Sequence, residues 1–201
     1  MFSPGISIAP AGDSPARSAQ ALAALRAALG HGFISDERFT WYAAPREDRP
    51  FRAALAALDD ATGAVVGALT VEVVTAESLR DSFMDSYGRA LGQAAIATLE
   101  PGRTGLIKSI AVAPAYRGRG VARALIQRGL GDLAAHGAER YYALAWESER
   151  DGCLLRGQLT AAGFRTALRL ERFWRQDSVA HGYVCPACGH PCVCAARVMV
   201  R

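Results

Sequence analysis

Leu106-Ile107-Lys108-Ser109-Ile110-Ala111-Val112-Ala113-Pro114-Ala115-Tyr116-Arg117-Gly118-Arg119-Gly120-Val121-Ala122 is followed by an alanine- and leucine-rich run, Arg123 to His136. The apolar residues up to Val112 spell a strand, Pro114 ends it, and Arg117-Gly118-Arg119-Gly120 makes a tight basic turn. Val121, Ala122, Leu125, Ile126, Gly129, Leu130 and Leu133 then recur at helical spacing, which predicts an amphipathic helix docked by one face on a sheet. Gly118 and Gly120 allow the turn to bring several backbone N–H groups to bear on one anion, and Arg117 and Arg119 add positive charge. A helix whose first amides are left open in this way is a phosphate cradle. Taken alone, the turn is also compatible with helix-capping glycines in an ordinary basic loop.

The 201 residues, 51% of them hydrophobic, suffice for one sizeable core. The expectation is a single domain over 1–201, carrying a helical insertion at 75–104 and a four-cysteine loop at 183–195. The formal charge is +4 and Lys108 is the sole lysine, so the positive charge is arginine spread along the chain. No segment concentrates it as a nucleic-acid surface does. No apolar run reaches the roughly 18–20 residues of a membrane span. There is no basic leader, and Arg26 interrupts the run from Ala19 to Leu29 at helical spacing. These features predict a cytoplasmic protein with no membrane partner. In such a reducing compartment, four cysteines packed between Cys185 and Cys194 point to metal rather than disulfides.

Outward from the opening stretch, Ile6 to Pro10 suits a short edge strand. Asp13 or Ser14 caps a helix that starts at Pro15, carries Leu22, Leu25, Ala28 and Leu29 on one stripe, and stops at Gly30. A second helix, capped by Ser35 or Asp36, is expected over Ser35 to Ala43. Phe51 to Leu58 and Ala64 to Val74, joined by Asp59-Asp60-Ala61-Thr62-Gly63, predict a hairpin, although the alanines of its first arm are poor strand formers and a helix competes there. Leu79, Phe83, Tyr87, Leu91 and Ala95 recur four apart and predict one or two inserted helices. Tyr141 to Trp146 reads as a strand buried on both faces, Cys153 to Ala162 as a helix ending at Gly163, and Phe164 to Trp174 as a strand with Cys192 to Val200 as its antiparallel partner.

Arg117-x-x-Gly120-x-Ala122, behind Ile110-Ala111-Val112-Ala113-Pro114, resembles the acyl-CoA-binding segment of the GNAT-type N-acetyltransferases, written Q/R-x-x-G-x-G/A. The resemblance extends from about Ile6 to Trp174. It implies an α/β (α+β) GNAT fold, a mixed and mostly antiparallel twisted sheet flanked by helices. It further implies acetyl-CoA or another acyl-CoA as donor and an amine as acceptor. The pyrophosphate would sit on the amides of Arg117, Gly118, Arg119, Gly120, Val121 and Ala122, and the pantetheine would pair with the backbone of Ile110, Ala111 and Val112. The acyl group would lie where Ile110 to Val112 and Tyr142 to Trp146 splay apart, with its oxyanion on a backbone N–H near Ile110 or Val112.

The proton traffic departs from the family pattern. The tyrosine that commonly protonates the leaving thiolate corresponds to Leu159, and the asparagine seven residues before it to Gly152. Tyr142, Ser148 and Cys153 are the available substitutes. Glu72 and Glu147, each near a strand end, are the candidate bases for the incoming ammonium. The insertion at 75–104 is expected on the acceptor side. Small amines, antibiotics, peptide N-termini and lysine side chains all remain open as acceptors, and monomer and homodimer both remain open.

Cys185-Pro186-Ala187-Cys188-Gly189-His190-Pro191-Cys192-Val193-Cys194 contains Cys-Pro-x-Cys-Gly, a metal knuckle in which the glycine permits a turn that aims amides at the thiolates. Cys192 and Cys194 project to one side of an extended segment. Four thiolates predict a structural tetrahedral zinc on Cys185, Cys188, Cys192 and Cys194, with iron as the competing metal and His190 as a reserve ligand. A closed site of this kind staples the last two strands and leaves no position for water. Cys153 stands apart as a small apolar residue. Two competing functions remain: an acyl-CoA sensor that meets a partner through the zinc loop, and, against the charge distribution, a nucleic-acid-associated zinc protein.

Overall fold

The computed structural model describes residues 5–44, 50–75, 77–78, 94 and 102–201. β1 (Ile6–Pro10) pairs antiparallel with β2 (Arg52–Asp59), and β2 with β3 (Val65–Thr75). Asp59 makes the predicted hairpin turn, its Oδ1 accepting from the N–H groups of Ala61 and Thr62 at 2.9 and 3.0 Å. The alanines of β2 are strand residues after all. Ala54 and Ala56 are buried in one cluster with Leu22, Leu25, Phe39 and Tyr42, and packing beneath those helical side chains overrides their weak strand propensity.

Both early helices start as their caps predict. Ser14 accepts from the N–H of Arg17 ahead of α1 (Pro15–Leu29), and Ser35 from that of Arg38 ahead of α2 (Asp36–Ala43). β4 (Arg103–Val112) passes through a short 3₁₀ turn, Pro114–Tyr116, into α3 (Val121–Ala135). The buried face of α3 is Val121, Ala124, Leu125, Ile126, Gly129, Leu130 and Leu133. Ala124 thus takes the place expected for Ala122, which is half-buried.

α3 sits close to β3 because Gly129 has no side chain. A Cβ there would lie 2.7 Å from Leu69 Cδ2 and 3.1 Å from Val71 Cγ1, whereas one at Gly131 would meet nothing within 4 Å. Alanine is favoured over glycine in a helix by about 0.8–1.0 kcal/mol. Gly131→Ala should therefore raise the urea midpoint by about that stability. Gly129→Ala should lower it, since overpacking costs about 1–3 kcal/mol. Equal midpoints for the two variants would contradict this packing.

The remaining elements are β5 (Arg140–Glu147), α4 (Arg156–Ala161), β6 (Arg165–Leu170), α5 (Arg175–His181) and β7 (Ala195–Val200). β7 pairs antiparallel with both β5 and β6, and the strand order of the seven-stranded sheet is β1-β2-β3-β4-β5-β7-β6. Three expectations need correction. β5 is not wholly buried: Tyr142, Ala143 and Ala145 are, but Leu144 and Trp146 are half-buried at the edge of the cysteine-containing core. The helix expected from Cys153 begins at Arg156, because Ser148 and Gly152 first close a small antiparallel bridge. The strand expected to run to Trp174 stops at Leu170, where Glu171 to Trp174 turn, with Arg172 at φ 52°, into α5. That helix was unforeseen, although His181 in its last turn and Gly182 beyond it are ordinary stop signals.

The chain forms two compact units, one of residues up to Glu72 with Ile107–His136, the other of Val73–Leu106 with Gly137–Arg201. The first is built around the cluster of α1, α2 and β2. The second is built around Leu106, Tyr142, Phe173, Trp174, Val198 and the sulfurs of Cys185, Cys192 and Cys194. The expected helical insertion at 75–104, with Leu79, Phe83, Tyr87, Leu91 and Ala95, falls largely outside the described residues. No helix among the described residues is long and apolar enough to cross a membrane.

Candidate functional site

The basic turn has the form its glycines allow. Gly118 and Gly120 adopt φ values of 73° and 82°, and Gly120, left-handed, is the N-cap of α3 with no side chain bonded to the amides behind it. Arg117, Gly118, Arg119 and Gly120 are exposed, Ala122 is half-buried, and Val121 is buried and anchors the first turn. The turn is held from below. Tyr116 donates to Asp59 Oδ2 at 2.7 Å, the Arg119 guanidinium lies 5.3 Å from the Tyr116 ring, and Arg117 Nε donates to Val112 O at 3.3 Å. Behind it, Ala113 N–H donates to Val66 O, and the hydroxyls of Thr70 and Ser109, 2.7 Å apart and buried, link β3 to β4. Ile110, Ala111 and Val112 therefore form the end of a fixed strand, with Ala111 buried and its neighbours half-buried. Open N–H groups on a helix start, preceded by two arginines, suit a phosphate group.

Glu72 lies near the end of β3 and is buried, 7% exposed. Tyr42 of α2 donates to its Oε1 at 3.0 Å. Burial and the adjacent carboxylate charge push the Tyr42 phenol well above its ordinary range, so Tyr42 remains a donor to Glu72 across the physiological pH scale. Arg38 and Arg52 lie over the Trp41 ring at 4.4 and 4.1 Å, and Arg52 donates to Trp41 O, which fixes the α2 side of this group.

Glu147 ends β5 in a different setting. Arg169 of β6 donates to its Oε1 at 2.7 Å and Arg197 of β7 donates to its Oε2. Burial alone would raise the carboxyl pKa, but the hydrogen bonds and charges of Arg169 and Arg197 outweigh it and hold the group below its ordinary 4.5. A depressed folded-state pKa stabilises the fold above the ordinary value, and that contribution is lost as pH falls through the lower one. Glu147→Gln should therefore flatten the acid limb of a stability curve measured by urea unfolding from about pH 6 to about pH 3. An acid limb as steep as that of the wild type would show that the pair carries no such linkage.

Leu159 is fully buried in α4 and offers no proton. Among the candidate substitutes, Tyr142 and Ser148 are buried. Ser148 accepts from the N–H of Asp151 at 3.0 Å, and burial raises the Cys153 thiol above its ordinary value.

The four cysteines converge. The sulfurs of Cys185, Cys188, Cys192 and Cys194 all lie within 4.8 Å of one another. Cys185–Cys194, Cys188–Cys192 and Cys188–Cys194 are separated by 3.8, 3.7 and 3.4 Å, and none forms a disulfide. Val193 N–H donates to Cys188 Sγ at 3.3 Å. Cys185 and Gly189 close the knuckle through paired backbone hydrogen bonds. The buried Ser178 of α5 fastens it by accepting from Cys192 N–H at 2.9 Å. His190 is outside the group, its Nδ1 lying 3.3 Å from Tyr183 O. Tyr42 and Arg169 were not foreseen as site residues. No spacing rule marks them, because each reaches its partner across the sheet or from a helix rather than along the chain.

The sequence profile of the acetyltransferase (GNAT) family matches residues 22–151. No curated protein sequence matches the chain significantly. Among solved structures, an agmatine N-acetyltransferase is similar at 13% identity and a TM-score of 0.65, covering 98% of each chain. NAA60 of Arabidopsis thaliana, in complex with acetyl-CoA, has 17% identity and a TM-score of 0.64 over 98% of this chain and 97% of its own. A GCN5-related N-acetyltransferase from Kribbella flavida has 20% identity and a TM-score of 0.58 over 98% and 97%. At these identities the likeness establishes the fold.

Proposed function

The chain belongs to the acetyltransferase (GNAT) family, and from that premise we propose that it transfers an acetyl group from acetyl-CoA to an amine, with a structural zinc in its C-terminal loop. The observation that carries the donor assignment is the uncapped start of α3 behind Gly118 and Gly120 at the end of β4. The pyrophosphate would rest on the amides from Arg117 to Ala122, and the pantetheine would run along Ile110, Ala111 and Val112. Acetyl-CoA bound to the Arabidopsis neighbour supports this choice of donor. Gly120→Ala forces a Cβ into a left-handed residue at a cost of about 1–2 kcal/mol. It should raise the KM for acetyl-CoA by about tenfold, and an unchanged KM would move the phosphates elsewhere.

The reaction needs an unprotonated amine whose nitrogen attacks the thioester carbon as the CoA thiolate leaves. Of the two candidate bases, Glu72 suits the task better: one oxygen is held by a neutral phenol rather than both by guanidinium groups. Glu147, doubly paired, is the weaker proton acceptor. The family's usual acid is replaced by the buried Leu159, which favours departure of the thiolate without a dedicated proton donor, or through Tyr142, Ser148 or Cys153.

The sulfur centre fits zinc on its own dimensions. A tetrahedron with metal–sulfur bonds of about 2.3 Å has edges of about 3.8 Å, close to the three sulfur separations above. With four sulfur ligands the metal would have no open position, so its chemistry is that of a staple at the start of β7.

The test is CoA release from acetyl-CoA, followed over small amines, aminoglycoside-type antibiotics, peptide N-termini and lysine peptides, with zinc measured on the same sample. Saturable release with one acceptor class supports the proposal. Tight acetyl-CoA binding without release across the panel would replace it with the sensor reading that Leu159 motivates.

A further inference from the structure

The basic turn has little packing of its own. From Ala113 to Gly120 only Ala113 and Tyr116 are half-buried, and the other residues are exposed. Gly118 and Gly120 add a further cost, since glycine loses more conformational freedom than any other residue when it is fixed. The shape that opens the first amides of α3 therefore has to be imposed from outside the turn. The two half-buried residues are the two that the β2–β3 hairpin holds.

Ala113 N–H donates to Val66 O at 2.9 Å and Tyr116 donates to Asp59 Oδ2 at 2.7 Å, one on each side of Pro114-Ala115. Both acceptors are placed by the hairpin itself. The β2–β3 register pairs Ala57 with Gly67 and then Leu58 with Val65, an irregularity that passes over Val66. Asp59 is immobilised: its Oδ1 accepts from Ala61 and Thr62 N–H, its own N–H donates to Ala64 O at 3.0 Å, and its carbonyl accepts from Gly63 N–H at 2.7 Å. The hairpin end is anchored in turn by Asp60 N–H to Gly5 O at 2.9 Å and by Val65 N–H to Gln20 Oε1 of α1 at 3.0 Å. Gly67 completes the close approach, because a Cβ there would lie 3.0 Å from Ala111 O and 3.2 Å from Val121 Cγ1. The Tyr116 ring carries the Arg119 guanidinium at 5.3 Å, within cation–π range. A carboxylate, a phenol and a guanidinium thus run in series from the hairpin to the turn.

We propose that Asp59 is a positioning residue for the acyl donor: through Tyr116 it holds the basic turn in the geometry that receives a pyrophosphate. This role rests on the acetyl-CoA reading above. No contact with the donor is claimed for Asp59. A turn fixed before the ligand arrives spares the ordering cost at binding. The affinity for pyrophosphate-bearing donors therefore depends on the Asp59–Tyr116 bond, and the chemical step does not.

The experiment uses the full chain and three variants. Tyr116→Phe keeps the ring beside Arg119 and removes the hydroxyl. Asp59→Asn keeps a carbonyl oxygen for the turn amides of Ala61 and Thr62 and removes the charge that holds the phenol. The third variant combines the two. By calorimetric titration, Tyr116→Phe should raise the Kd for CoA about tenfold, the worth of one hydrogen bond to a charged acceptor. Dephospho-CoA, which retains the pyrophosphate, should weaken by the same factor. The double variant should lose no more than Tyr116→Phe, because both changes remove one interaction. With the amine found in the acceptor screen, kcat should be unchanged, and acetyl transfer from S-acetylpantetheine, which lacks the pyrophosphate, should keep its wild-type rate. Should Asp59→Asn fail to fold, Tyr116→Phe decides the matter, because its ring is retained at a half-buried position. Unchanged CoA affinity in Tyr116→Phe, additive losses in the double variant, or an equal loss with S-acetylpantetheine overturns the inference. A wild-type protein that does not bind CoA overturns the donor reading itself, so the two failures are distinguishable.

Discussion

On the proposed role of Glu72 as the base, Glu72→Gln should lower the rate of acetyl transfer by about 10²–10⁴-fold at neutral pH, the range a positioned general base supplies. Glutamine has nearly the same shape, and its carbonyl oxygen can accept the Tyr42 hydroxyl as Oε1 does at 3.0 Å. The Tyr42 hydroxyl therefore keeps its acceptor, and the comparison of rate with urea stability in the same variant separates proton transfer from folding. The deficit should shrink at alkaline pH, where the amine arrives already deprotonated. Tyr42→Phe keeps the carboxylate and removes the group that holds it, so its loss should be smaller. Initial rates over a pH series for Glu72→Gln and Glu147→Gln decide the assignment, and unchanged profiles in both would remove the two carboxylates as candidates.

The second large effect is expected at the sulfur centre. Cys192 is 1% exposed, belongs to the core of its unit, and has its N–H held by the buried Ser178. On the zinc proposal, Cys192→Ser exchanges a thiolate ligand for a hydroxyl that binds zinc poorly and lies buried among apolar groups. Loss of a structural metal is among the few single changes that exceed about 4 kcal/mol. For a chain of this size that lowers Tm by roughly 8–16 °C. The measurement is zinc content with thermal unfolding, set against Cys153→Ser, whose cysteine lies outside the four-sulfur group. Equal Tm and zinc content in the two variants would show that the centre staples nothing.

Which parts of the molecule could be read from the chain follows from the range of the forces involved. Ser14, Ser35, Asp59, Gly118 and Gly120 act on backbone within a few residues of themselves, so the caps, the hairpin turn and the basic turn were legible locally. The apolar period of Val121 to Leu133 likewise located α3, and the order of strand, glycine turn and helix sufficed for the family. The spacing of Cys185, Cys188, Cys192 and Cys194 predicted a shared site because a ten-residue loop with Gly189 can close on itself. Misjudged boundaries fell where distant packing prevails: Ala124 rather than Ala122 beneath α3, and α5 in place of the end of a strand.

Only the tertiary structure decided what each carboxylate is. Glu72 and Glu147 look alike in the sequence, each an acidic residue near the end of an apolar run. In the fold, one accepts a hydrogen bond from a buried phenol thirty residues away, and the other is gripped by arginines twenty-two and fifty residues away. Composition and spacing settled the chemistry available to this chain, because turns and caps are local. The protonation and pairing of its charged groups depend on neighbours supplied by other strands and helices, and those exist only once the sheet has formed.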